Sequence, residues 1–272
     1  LILIPSYSFA AWGVVGELAV GNDTTSDNTL GPITITNTLE AGNVGICVIG
    51  YDEWGTGTTD GNTNQISSVT DSSGSNTWIE AHEHCNMQTS TTLNGSCVAI
   101  YYTKAGTQLT GGSSTITVTF GGSVRKAMTC IEATITSGNI VQITSGTNQL
   151  SNDGANVGSL SVATGSATEH LFIRGSACES NNTGYGADAD YTAFPGSTTT
   201  STANTGTTGT SHGARGERRI ATEATSAASD PDYPSSAGTA DCASAMVGMD
   251  EVTPPSCTAG LNMTLLGVGG CP

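Results

Sequence analysis

The strongest constraint on the fold of this chain is an alternation of side chains between Ser96 and Ile135, in SCVAIYYTKAGTQLTGGSSTITVTFGGSVRKAMTCIEATI. Val98, Ile100 and Tyr102 alternate with smaller or polar neighbours, and Ile116, Val118 and Phe120 alternate with threonines. A period of two sends successive side chains to opposite faces, which is the pattern of a strand with one face on a core. The stretch reads as three consecutive strands joined by glycine-rich turns. It sets the expectation of an all-β chain.

Similar segments recur on both sides. Trp12 to Val20 reads as a first strand, followed by a polar, turn-rich connection, GNDTTSDNTLGP, to a strand carrying Ile33 and Ile35. In NVGICVIGY, Val44, Ile46 and Val48 share one face while Cys47 and Ile49 share the other, so this strand is expected in the middle of a sheet. QISSVTDSSGSNTWIEAHEHC reads as two short strands around the turn DSSGSN, and NIVQIT, VGSLSVAT and EHLFIRGSAC as further strands. The low-complexity run from Gly196 to Gly213 is expected to be a long exposed loop, with RRIATEAT resuming as a strand and CASAMVGMDEV closing the main body. These short strands predict a two-sheet antiparallel β-sandwich, jelly-roll-like, over residues 12–252. Residues 1–11 are expected to form an N-terminal arm and residues 253–272 a small C-terminal appendage stapled by a disulfide. Hydrophobic residues make up 36% of the chain and aromatics 5%, a supply that suits a thin core between sheets, with Trp12 and Trp78 as anchors.

Charge excludes some partners. Seven Lys and Arg stand against 23 Asp and Glu, a formal net charge of -16, so nucleic acid and anionic membranes are not expected to bind. The one basic cluster, Arg215, Arg218 and Arg219, is expected to pair with Glu217 and Glu223. The opening LILIPSYSFAAWGVVGELAV is interrupted at Pro5 and Glu17, too soon for a membrane span of about 20 apolar residues. It also lacks the basic start of a secretion signal, so the reading preferred is an extended arm.

Eight cysteines lie at spacings that match no zinc motif, and disulfides in an oxidising exterior are the expectation. Cys85 and Cys97 flank a polar loop at the ends of adjacent strands, and Cys257 with Cys271 closes a second local loop. Cys178 with Cys242 joins the end of one strand to the start of an antiparallel partner, and Cys47 with Cys130 links equivalent strand faces. Four Asn-x-Ser/Thr triplets, at Asn22, Asn94, Asn181 and Asn262, permit glycosylation.

Motifs for chemistry are incomplete. His82 and His84 in HEHC share a strand face but lack a local third ligand. Asp60, Asn62 and Asn64 begin like a calcium loop, yet Gln65 stands where glycine is required, and Asp188 and Asp190 are a second oxygen-rich spot. The serines form no Gly-x-Ser-x-Gly elbow, and Glu80, Glu83, Glu132 and Glu169 show no context that marks a glycosidase pair. No catalytic residue, metal or cofactor is assigned. Trp54, in DEWGTG, and Tyr185, in NTGYG, are the aromatic residues most suited to stacking on a glycan.

VTDSSGSNTW, CVAIYYTKAGT, GGSSTITVTFGG, a strand ending CIEAT and, later, CASAMVGMDEV resemble in their succession a family of β-sandwich proteins abundant in phage and environmental bacterial sequences. The resemblance covers roughly Trp12 to Val252, and its motifs are structural turns and strands. It implies a virion-exterior or extracellular structural protein. The expected function is therefore a non-enzymatic structural or adhesive surface protein, a self-assembling subunit of a phage exterior or of an extracellular filament. Its partners would be further copies of itself, joined through sheet edges and the apolar run Leu1, Ile2, Leu3 and Ile4, and cell-surface glycans. A secreted carbohydrate-binding module is the alternative, followed by a glycan-active enzyme on a jelly roll.

Overall fold

The computed structural model describes residues 12–52, 61, 64–86, 95–136, 139–143, 147–152, 159–164, 168–179, 188–194, 203–204, 212–222, 226–229 and 242–252. Among them there are fifteen strands and no helix. The ladders are antiparallel. One sheet holds β1 (Gly13–Thr34), β2 (Val44–Asp52), β3 (Ile66–Asp71), β4 (Ile79–Asn86), β5 (Ser96–Lys104) and β6 (Thr115–Thr134), in the order β1-β6-β2-β5-β4 with β3 also on β6. The other holds β7 (Ile140–Gln142), β8 (Thr147–Asn152), β10 (Glu169–Glu179), β11 (Thr192–Ala193), β12 (Ala203–Asn204), β13 (His212–Thr222) and β15 (Cys242–Val252). β9 (Leu160–Ala163) and β14 (Ser226–Ser229) form a small separate pair.

β1 and β6 correct two expectations. GNDTTSDNTLGP is not a connection between strands but the middle of β1, which stays on β6 from Gly13↔Thr134 to Thr34↔Thr115. Likewise GGSVRK is not a turn, so the stretch from Ser96 to Ile135 carries two long strands rather than three. The ladder absorbs the turn-forming residues as irregularities, with register shifts at Asp23/Asp27, Asp27/Thr29 and Leu30/Ile33. Extra residues of this kind bend a strand without ending it. On the other side of β6, β2 pairs with its second half (Lys126 to Ala133) and β3 with its first half (Ile116 to Phe120). The bend folds the sheet over itself, placing Phe120 of β6 against Tyr51 of β2 with ring centroids 5.1 Å apart.

DSSGSN is a turn whose flanking strands do not pair with each other: β3 lies on β6 and β4 on β5. Asp71 closes this turn by accepting from the Ser73 N–H (2.9 Å) and from Trp78 Nε1 (3.0 Å), which ties the turn to a core tryptophan. The Gly196 to Gly213 segment is also not loop throughout. Ala203 and Asn204 pair with Ala214 and Gly213, and β13 starts at His212 because all eleven residues of β10 find a partner in it.

The two large sheets face each other, β10 and β15 over β5, and β13 over β2 and β6. Val48, Val98 and Ile100 meet Ile173, Ala245 and Val247 between them, while Cys47, Ile49 and Tyr51 point into the folded-over half. β2 is thus buried on both faces, as its doubled apolar pattern requires. Each large apolar side chain taken from water here contributes roughly 1.5–3 kcal/mol. Close approach depends on small residues: a Cβ on Gly50 would lie 2.6 Å from the Gly213 carbonyl oxygen and 3.0 Å from the Cβ atoms of Ala177 and Ala214. Trp12 and Trp78 are both buried. Leu160, Val162 and Ala227 of the small pair cover Phe172 and Met246 on the outer face of the second sheet.

Candidate functional site

The cysteines occupy directly opposed positions in neighbouring strands. Cys47 is bonded to Cys130 (β2–β6), Cys85 to Cys97 (β4–β5) and Cys178 to Cys242 (β10–β15), with Cα separations of 4.1, 4.0 and 4.1 Å. These are the pairs that strand faces and spacing predict. Three intramolecular disulfides mark a chain that matures in an oxidising, extracellular-type environment. No helix among the described residues is long and apolar enough to cross a membrane. Cys257 and Cys271 lie outside the described residues.

Buried charges also tie strands together. The Lys126 side chain is fully buried where β1 bulges, and its ammonium donates to the Asp27 carboxylate, to the Asp27 carbonyl (2.9 Å) and, more weakly, to the Thr25 carbonyl (3.4 Å). The Asp23 carboxylate lies 3.7 Å away. This hydrogen bond to Lys126 holds the Asp27 carboxyl below its usual range. An ammonium here neutralises the converging oxygens of an irregular backbone, which explains how a polar, turn-like sequence remains in a strand. Arg174, also fully buried, donates to the Ser229 carbonyl (2.9 Å) and hydroxyl (3.0 Å), fastening the small β9–β14 pair onto β10. Burial pushes its guanidinium down to about 10. Arg215 donates twice to Glu217 Oε1, at 3.0 and 2.6 Å, as expected of the basic cluster. Burial outweighs that arginine and pushes the Glu217 carboxyl up. Glu223 lies outside the described residues, and His170 pairs with Asp250 across β10 and β15.

The remaining polar candidates are likewise built into the ladders. His82 and His84 stand opposite Ile100 and Val98, one half-buried and the other buried. Between them Glu83 turns to the other face, where Oε1 accepts from the Gln65 N–H (3.0 Å) and burial raises its carboxyl. Glu80 accepts from the Tyr101 hydroxyl (3.0 Å), and Glu169 accepts from the Trp12 N–H (2.7 Å). Asp188 caps its own turn through the Asp190 N–H (2.9 Å). Among the described residues no group of three His, Cys, Asp or Glu could hold a metal ion. Asp60 and Asn62 lie outside them.

One device escaped the sequence reading. Glu132 Oε1, near the end of β6, accepts from the Glu40 N–H (3.0 Å) and from Asn43 Nδ2 (2.6 Å). Glu251 Oε1, near the end of β15, does the same for the Thr136 N–H (2.7 Å) and Asn139 Nδ2 (2.6 Å). The signal was present as EAGN (Glu40–Asn43) and TSGN (Thr136–Asn139), each just before a strand. In both, a strand-end carboxylate holds the turn that launches the next strand.

The strand ends give the molecule two poles. Trp12 is bonded to Glu169, which starts β10, and His170 faces Asp250 near the end of β15, so Trp12 and Val252 lie at the same end. At the opposite end, Asp52 and Asn86 both lie beside Ser96, Asn86 donates to the Cys242 carbonyl (3.2 Å), and Cys242 faces Cys178. Trp54 and Tyr185, like Leu1, Ile2, Leu3 and Ile4, lie outside the described residues. Compared with family models, curated proteins and solved structures, the chain matches none.

Proposed function

We propose that this chain is a non-enzymatic structural and adhesive surface protein, a jelly-roll-like β-sandwich that assembles with copies of itself on a virion exterior or in an extracellular filament. The observation that carries this reading is that Trp12 and Val252, the two ends of the described body, lie at one pole, beside Glu169 and Asp250. Segments that continue the chain beyond Trp12 and Val252 are thereby offered from one face of the body to neighbouring copies. The disulfides and buried ion ties supply the rigidity that a load-bearing exterior subunit requires. The likeness to the phage and environmental β-sandwich family points the same way. No cofactor enters this function, and further copies of the chain are the principal partner.

Deletion of Leu1 to Ala10 tests the reading. The expected product is folded, with unchanged circular dichroism, but sediments as smaller species than the parent and forms no particles or filaments in electron micrographs. Assembly equal to that of the parent would remove the arm from the interface.

A further inference from the structure

A cleft of about 340 Å³ opens beside the start of β1, lined by Val15, Asn37, Thr38, Glu40, Asn43 and Glu132. This is the small end of the range of ligand pockets, about 300–1,000 Å³. Val15 lies at the register shift between Val14 and Gly16 and is 58% exposed, an apolar surface at the rim. Glu132 is only 2% exposed, and both of its hydrogen bonds go to Oε1, which leaves Oε2 to the cleft.

The other lining groups have the same polarity. Asn43 donates through Nδ2 to Glu132, and Asn37 donates through Nδ2 to the Glu17 carbonyl (2.8 Å), so both amides are fixed with Oδ1 left over. Glu40 uses one carboxylate oxygen for Gln108 and keeps the other. Thr38 Oγ1 accepts from the Gly111 N–H (3.1 Å), which leaves its hydroxyl proton to give. The cleft thus offers two carboxylate oxygens and two amide oxygens, against the Thr38 hydroxyl and the second N–H of each amide. Acceptors outnumber donors, so a ligand with several hydrogen-bond donors is matched and an anionic one repelled. The two carboxylates, Glu40 and Glu132, fall short of a metal-binding group among the described residues.

The geometry points to this cleft as a binding site for a neutral saccharide, its hydroxyls donating to Glu132 Oε2, Glu40 and the side-chain oxygens of Asn37 and Asn43, its C–H face against Val15. Several hydroxyl donors on one ring and an apolar face beside them match the lining better than a lone ammonium, which leaves most of the volume empty. The inference rests on the adhesive part of the proposed function and gives it a ligand class. It assigns the glycan contact to residues other than Trp54 and Tyr185.

A glycan array of neutral saccharides, probed with the full chain and followed by calorimetric titration of the strongest binder, tests it. Binding is expected, and it weakens about tenfold or more in Glu132→Gln, which withdraws the charge from the buried acceptor. Because Glu132 also holds the turn before β2, the second variant is Val15→Arg, which places a cation and a long side chain over the cleft from an exposed position. It should retain the parent's melting temperature and lose binding by a similar factor. The assignment is overturned if no neutral saccharide binds, if both variants bind as the parent does, or if calcium chloride or a lysine-bearing peptide titrates into the cleft in its place. Sedimentation of the same samples separates the two readings: an assembling chain that binds no saccharide removes the cleft site alone, and a saccharide-binding monomer removes the assembly alone.

Discussion

Removing the disulfides pair by pair measures how far each one restricts the unfolded chain. The sequence separations are 83 for Cys47–Cys130, 64 for Cys178–Cys242 and 12 for Cys85–Cys97. Loop-closure entropy assigns them about 4.5, 4.3 and 2.8 kcal/mol respectively at room temperature. All six cysteines are buried to within 1%, so double replacement by alanine removes similar packing in each case and leaves loop length as the main difference. Equilibrium denaturation in guanidinium should place the Cys47/Cys130 double variant about 1.7 kcal/mol below the Cys85/Cys97 double variant. The Cys178/Cys242 variant should be indistinguishable from the former within an extrapolation error of about 10–15%. An equal or larger loss for Cys85/Cys97 would refute the entropic account and move the effect to native packing around Tyr51, whose hydroxyl lies 3.8 Å from Cys85 Sγ.

Two further outcomes follow from buried contacts. Lys126→Met should lose about 1–3 kcal/mol at neutral pH, less than for a wholly buried pair because the Asp23 and Asp27 side chains are 25% and 53% exposed. Since the Asp27 carboxyl is held low, its contribution is complete above the unfolded value of about 4 and is lost as pH falls through the folded one. The parent should therefore lose more stability than the variant between neutral pH and strong acid, and parallel urea midpoints across that range would refute the pairing. Gly50→Ala should destabilise by about 1–3 kcal/mol, because the added Cβ meets backbone oxygen at 2.6 Å between two packed sheets; an unchanged melting temperature would show that the sheets can part.

Much of the local structure is legible in the chain because its cause is local. Alternation at Val98, Ile100 and Tyr102 makes β5 a strand in any context, and the doubled pattern of Val44 to Ile49 places β2 inside a sheet. Cys178 and Cys242 pair because each marks one end of an apolar strand, and opposed cysteines in antiparallel strands leave little choice of partner. β8, β11 and β14 were not foreseen: they are short, polar or small in side chain, and exist by pairing with β15, β13 and β9.

By itself the sequence determined the all-β class, the three cysteine pairs of the described residues and the oxidising compartment, since each follows from residue type and from the strand pattern around it. Only the tertiary structure decided that GNDTTSDNTLGP and GGSVRK stay inside β1 and β6. Their intrinsic preference is to turn, and what overrides it in the first is Lys126, the last residue of the second, 99 positions from Asp27. The cleft was equally out of reach, because Val15, Asn37 to Asn43 and Glu132 become neighbours only when the bent sheet closes. Free energies of that kind belong to pairs of distant groups, and no window of sequence contains them.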